Sequence, residues 1–312
     1  MIGSQRVQDL MALEISRFIE SHPKSQQSSK TSNKSLLAGV PMPWMKRWAG
    51  PFPVIAESAQ GGNIRDIDGN EYIDFCLGDT GAMTGHANTA INDAIFAQAS
   101  SGFTTMLPST DVTWVADHLR ERFGLEKWQF CLSATDANRF SLRLARQLMG
   151  KPKIVVNDWC YHGTVDETLV ILDTQGNTVS RPGAIGPQIN PATTTVAVPY
   201  NDLQALEDAL KRGDIACVLM EPALTNIGIV LPIDGYLEGV RDLTRKYGVL
   251  LILDETHTIC AGPHGASRMW GIEPDMLVIG KTIGGGIPVA TYGMSADVAR
   301  KVEQLMHGHD LD

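Results

Sequence analysis

Basic side chains are in deficit: 26 Lys and Arg stand against 35 Asp and Glu, a formal net charge of −9. That balance argues against a general nucleic-acid binder, whose affinity comes from neutralising phosphates. It argues equally against a polybasic membrane-surface anchor. Long apolar runs are missing too, since none approaches the roughly 20 residues that a membrane-spanning helix requires. Cysteines are few: five, at 76, 131, 160, 217 and 260, odd in number and without a C-x-x-C pair. Reduced thiols are therefore expected, rather than a disulfide framework or a zinc site. No internal repeat is found. The first residues lack a continuous apolar core and carry acids early, so no secretory signal is read there. A cytoplasmic protein is the expectation. What is present is ordinary for a globular chain, with 312 residues, 43% hydrophobic and 20% charged. That is enough for one large domain or two smaller ones.

Residues 5–20 place Val7, Leu10, Met11, Ile15, Phe18 and Ile19 at helical spacing, which predicts an amphipathic helix with one buried stripe, packed on the body or on a partner subunit. Residues 21–35 are polar and Ser-rich and read as a mobile linker. Short strands are expected at Pro53–Ile55, Asn63–Asp66 and Glu71–Phe75, separated by Gly61-Gly62 and by the hairpin signal Asp68-Gly69. From about residue 90 the pattern changes. Helices are expected at 90–100, 111–123, 137–149, 203–211 and 236–247, and short apolar strands at 128–132, 153–157, 217–220, 250–253 and 276–279. Such alternation predicts an α/β domain around a mostly parallel sheet. The unbroken apolar run Val249–Leu253 predicts a strand covered on both faces. The expected division is 1–35 (helix and linker), 36–89 (a small antiparallel segment) and 90–312 (the large domain).

In an open α/β sheet, ligands bind beyond the carboxyl ends of the strands. The residues that follow the predicted strands are Ser133, Ala134 and Thr135, then Tyr161 and His162, Glu221-Pro222, Asp254-Glu255, and Gly280-Lys281. One sheet edge thus collects a lysine, carboxylates, an aromatic ring and a helix start rich in small residues. A helix start with hydroxyls and free N–H groups suits a phosphate. A lysine in a partly desolvated cleft can form a Schiff base. A carboxylate can keep a pyridine nitrogen protonated, and an aromatic can lie on a flat ring. These are the parts of a pyridoxal 5'-phosphate site.

The residues also resemble those of the class III, fold-type I pyridoxal-phosphate aminotransferases, in particular the branch with glutamate-1-semialdehyde aminomutase. The segments that carry the resemblance are Asp66–Phe75, Gly85-His86, Tyr161-His162-Gly163, Tyr200-Asn201-Asp202, Glu221-Pro222 through Asn226 and Pro232, Leu253-Asp254-Glu255, and Gly280-Lys281 through Gly286. The resemblance implies that Lys281 is the Schiff-base lysine and moves protons at the substrate carbon. It implies that Asp254 pairs with the pyridine nitrogen, that Tyr161 lies on the ring with His162 nearby, and that Ser133, Ala134 and Thr135 hold the phosphate. Glu221 and Asn226 would line the hydroxyl side of the ring, with Thr256 behind it. It further implies a homodimer, a small-molecule amino donor, a keto-acid acceptor, and a C-terminal domain beyond Asp312.

Two positions depart from the family pattern. The phosphate turn reads Leu132-Ser133-Ala134-Thr135-Asp136, so Ala134 brings a methyl group where the family has glycine. The segment Gly39-Val40-Pro41-Met42-Pro43-Trp44 has no counterpart of the aminomutase's early arginine, and neither Met42 nor Trp44 can fork onto a carboxylate. The expected function is an aminotransferase working through Lys281. The alternatives are intramolecular amino transfer of the aminomutase type and a non-catalytic homologue serving as a binding or assembly partner. No metal site is expected: the pairs His257/His264 and His307/His309 match no ligand spacing and read as loop histidines. Gly280-Lys281-Thr282 is not a nucleotide P-loop, because the position five before its Gly-Lys is Asp275.

Overall fold

The run Val249–Leu253 does settle in the middle of a sheet, within a chain that divides into two units, one ending at Phe103 and one beginning at Thr104. The computed structural model describes residues 4–186 and 189–307.

The first unit holds helices α1 (Ser4–Ser21) and α2 (Pro23–Ser32), a three-stranded antiparallel sheet of β1 (Ala56–Gln60), β2 (Asn63–Asp66) and β3 (Glu71–Ile73), and helix α3 (Thr89–Ser101). Strand β1 begins just after the expected Pro53–Ile55, which is not a strand. Strand β3 stops before Phe75, which stands exposed. The pattern change at residue 90 does not coincide with the division, since α3 belongs to the first unit.

Two further readings are corrected here: packing of the α1 stripe on the body of this chain, and a linker over residues 21–35. The stripe on α1 is not buried within the chain: Val7, Leu10, Met11 and Ile15 are exposed, and only Phe18 and Ile19 are partly covered. The Ser-rich stretch is mostly helix, not linker. Pro23 opens α2 at a position where its missing N–H costs nothing. The Asp68 carboxylate, in the turn between β2 and β3, accepts the N–H groups of Lys24 (2.7 Å) and Ser25 (2.9 Å) and the Ser25 hydroxyl (2.7 Å). A cap supplied from another element thus replaces the apolar stripe that α2 lacks.

The second unit contains α4 (Asp111–Phe123), β4 (Lys127–Cys131), α5 (Ala134–Met149), β5 (Lys153–Asn157), the hairpin β6 (Val170–Leu172) and β7 (Thr178–Ser180), and β8 (Thr195–Val198). It continues with α6 (Leu203–Leu210), β9 (Ile215–Met220), α7 (Tyr236–Tyr247), β10 (Leu250–Asp254), α8 (Gly265–Met269), β11 (Met276–Ile279), β12 (Ala290–Met294) and α9 (Ala296–Met306). Seven strands form the main sheet in the order β4-β12-β11-β10-β9-β5-β8. The pairs β11/β10, β10/β9, β9/β5 and β5/β8 are parallel, and β12 runs antiparallel to both β11 and β4. Successive residues serve opposite faces, as a pleated strand requires. Leu251 and Leu253 join the layer with Leu119, Phe123, Leu206, Leu237 and Val240, whereas Leu250 and Ile252 join that with Ala137, Leu142, Ala145 and Val298. The expected α/β architecture, a mostly parallel sheet with a small antiparallel one, is therefore present.

Because β4, β5, β8, β9, β10 and β11 point the same way, their carboxyl ends share one edge. All five cysteines are free thiols. Among the described residues no helix is long and apolar enough to cross a membrane, and no group of three acidic, His or Cys side chains is placed to hold a metal. His309 lies outside the described residues.

Candidate active site

Strand alternation separates the two acids at the end of β10. Glu255 turns away and caps α8, accepting N–H groups from Ala266 (2.7 Å) and Ser267 (2.8 Å). Its role is structural. Asp254 is buried at the sheet edge. Its Oδ2 accepts from the Asn138 amide at 2.8 Å and faces His162 Nδ1 at 2.9 Å, while Oδ1 accepts the N–H of Thr256 at 3.0 Å. Burial works against the carboxylate, yet the bonds from His162, Thr256 and Asn138 prevail and hold its pKa below the usual range. Burial likewise opposes a charged His162, but the neighbouring Cys160 sulfur and the Asp254 carboxylate outweigh it and raise the imidazole pKa well above its ordinary value. Asp254 is thus an ionised carboxylate with a fixed orientation. His162 is buried against Asp254, whereas Tyr161 is 42% exposed.

Lys281 follows β11, the strand beside β10, and opens a short 3₁₀ turn (Lys281–Gly284) with φ of 47°. A non-glycine residue in the left-handed region is strained, and such strain concentrates at functional positions. Lys281 Nζ is hydrogen-bonded to His257 Nε2. His257 Nδ1 lies 2.8 Å from the Thr225 hydroxyl, which donates to Glu221 Oε2 at 2.6 Å. Glu221 is buried at the exit of β9, and burial raises its pKa.

At the start of α5, Ser133 acts as the helix N-cap: its hydroxyl accepts from Asp136 N (3.2 Å) and donates to the Asp136 carboxylate (2.7 Å). The Thr135 hydroxyl accepts the N–H of Thr164 (3.2 Å). The Ser133 proton is thus committed to Asp136, whereas Thr135 only accepts and keeps its O–H for an anion beside the first-turn N–H groups. The Ala134 methyl lies against Gly280, where an added Cβ would come within 2.8 Å of it. The alanine methyl thus packs on the residue preceding Lys281. Asn226 is exposed on the loop bridged by Leu224 and Val230, and its side chain makes no hydrogen bond among the described residues.

Asp254, His162, Lys281 and Glu221 gather at one edge, as the sequence predicts. Asn138, Thr225 and His257 join them unannounced. Asn138 is one polar residue inside a helix, and only knowledge of which α5 face meets β10 would single it out. Pyridoxal phosphate fits this edge on structural grounds. Four buried polar atoms there, Glu221 Oε1, Thr256 Oγ1, Asn138 Oδ1 and His162 Nε2, have no hydrogen-bond partner among the described residues. Unsatisfied buried groups call for a ligand or an explanation.

Comparison with known proteins agrees with this geometry. The family description Aminotransferase class-III matches residues 44–311, and the chain belongs to that family of pyridoxal-phosphate-dependent enzymes. It is 38% identical over 256 residues to a glutamate-1-semialdehyde 2,1-aminomutase of Methanocella arvoryzae, covering 81% of this chain and 60% of that protein. The chain therefore spans about three fifths of that relative's length. Among solved structures, a glutamate-1-semialdehyde-aminomutase from Pseudomonas aeruginosa PAO1 superposes with a TM-score of 0.96 at 47% identity, covering 99% of this chain and 69% of that one. A variant of that enzyme was solved in complex with PMP. An omega-transaminase from Sphaerobacter thermophilus has a TM-score of 0.83 at 30% identity, covering 88% of this chain and 64% of that one.

Proposed function

We propose that the protein transfers an amino group within one small molecule, in the manner of glutamate-1-semialdehyde aminomutase, with Lys281 as the reacting amine. The observation that carries the proposal is the buried, triply hydrogen-bonded Asp254 beside the strand that Lys281 follows. Pyridoxal phosphate, when bound, supplies a carbonyl for amines and a ring that withdraws electrons. Asp254 would hold the ring nitrogen's proton, its second oxygen keeping a lone pair beyond the Thr256 bond. His162 and Asn138 fix that carboxylate so that it does not reorient as charge develops. Lys281 would hold the amine and carry a proton to and from the substrate carbon. The first-turn N–H groups of Ala134 and Thr135 would bind the phosphate, and Tyr161 and Thr256 would bracket the ring. Glu221 would border the ring's hydroxyl side, with Asn226 at the rim. The aminomutase identity of the relatives supports the intramolecular reading.

Transfer between separate molecules, an amino donor and a keto acid, is the second reading. It is favoured by the absence of an arginine across Gly39–Trp44, where Met42 and Trp44 stand exposed. We also propose a homodimer and a cytoplasmic setting, the latter from the reduced cysteines. Supplying glutamate-1-semialdehyde to the cofactor-loaded protein without any keto acid separates the readings. Isomerised product formed without an acceptor supports the intramolecular reaction. Turnover only after a keto acid is added overturns it in favour of transamination.

A further inference from the structure

Glu221 just after β9, His257 three residues beyond β10 and Lys281 two beyond β11 follow the carboxyl ends of three adjacent strands. Thr225, on the loop after β9, joins the first two. We propose that His257, Thr225 and Glu221 form a proton relay that draws the proton from the Lys281 ammonium and leaves the amine neutral for attack on a carbonyl. The proposal rests on the cofactor role of Lys281 given above.

Hydrogen counting supports a directed chain. The Thr225 hydroxyl has one proton, and it points to Glu221 Oε2 at 2.6 Å. Its oxygen faces His257 Nδ1 at 2.8 Å, and the relay takes the tautomer with the proton on Nδ1 and the Nε2 lone pair toward Lys281. In the transfer, a proton leaves Lys281 Nζ for His257 Nε2, the Nδ1 proton passes to Thr225 Oγ, and the Thr225 proton passes to Glu221 Oε2. One N–H bond is broken on Lys281 and one O–H bond is formed on Glu221, with the imidazole and hydroxyl restored in the opposite sense. Each hydrogen bond survives with its direction reversed: Glu221 to Thr225, Thr225 to His257, His257 to the Lys281 lone pair. The ammonium and the carboxylate neutralise each other, and no outside acid or base is consumed.

The terminal group is suited to receiving the proton. Glu221 is buried, and its Oε1 has no hydrogen-bond partner. A buried carboxylate with an unpartnered oxygen is costly, and the neutral acid removes that cost. An ammonium has no lone pair with which to attack a carbonyl, so an internal acceptor has a defined task.

The test mixes the protein with pyridoxal phosphate at fixed pH and follows the rate at which a borohydride-trappable adduct forms on Lys281, located by peptide mass spectrometry. Fluorescence titration reports non-covalent cofactor affinity in parallel. Thr225→Val breaks the chain with little change of volume, Thr225→Ser restores it, and His257→Phe removes its middle. Adduct formation in Thr225→Val and His257→Phe is expected to slow by about tenfold or more, with cofactor affinity within about threefold and Thr225→Ser close to wild type. Equal rates in wild type and Thr225→Val overturn the relay, as does a Thr225→Ser variant as slow as Thr225→Val. Should His257→Phe fail to fold, the two Thr225 variants decide alone. A wild-type protein that forms no adduct overturns the cofactor role of Lys281 and the relay with it, whereas adduct formation at unaltered rates overturns only the relay.

Discussion

At the scale of single residues, Asp254 and His162 make a buried pair whose charges depend on each other. The carboxylate pKa is lowered in the folded state, so its stabilisation is present above the unfolded value of about 3.9 and is lost as pH falls through the depressed folded value. The imidazole pKa is raised, so its contribution is complete below about 6.5 and is lost as pH rises through the folded value. Urea-unfolding midpoints should therefore be highest between those limits and decline on both sides. His162→Gln should flatten the alkaline decline, and an unchanged decline would assign it to another group. Asp254, Lys281 and Glu221 were legible in the sequence because each follows an apolar strand, and strand ends mark the binding edge. His257 was not. It follows no strand directly, its spacing to His264 suggested only a loop, and its meaning comes from Lys281 on the next strand.

Whole elements show where patterning carries information and where it does not. The helices α4 and α7 and the strands β5 and β11 lie where periodicity places them, because each buries a continuous apolar set. Helix α2 was missed, since its anchoring is polar: Ser25 and Ser29 are its buried residues, and Asp68 caps it from more than forty positions away. Strand β12 was missed for a different reason. It enters antiparallel between β4 and β11, soon after the Lys281 turn, and Gly293 leaves the space that the Trp128 ring fills at 2.8 Å from an ideal Cβ. At this scale Asp68→Ala should lower the urea-unfolding midpoint and increase hydrogen exchange across Pro23–Ser32. Exchange that stays unchanged there would show that α2 does not depend on its remote cap.

For the molecule as a whole, a mostly parallel sheet gathers side chains from far-apart stretches of sequence at one edge, and that edge is the reason a class III aminotransferase can be recognised from short, scattered segments. The early arginine that the resemblance gives to the aminomutase, and the phosphate-turn glycine that it gives to the family, have no counterparts in Gly39–Trp44 and at Ala134. Asp254, buried and hydrogen-bonded at the end of β10, and Lys281, just after the adjacent β11, are both present. The most direct measurement is therefore covalent. The protein is incubated with pyridoxal phosphate, reduced with borohydride and digested, for wild type and Lys281→Ala. The account predicts a pyridoxyl group on Lys281 in the wild type and none at that position in the variant. A wild-type protein that folds yet leaves Lys281 unmodified after reduction would contradict it.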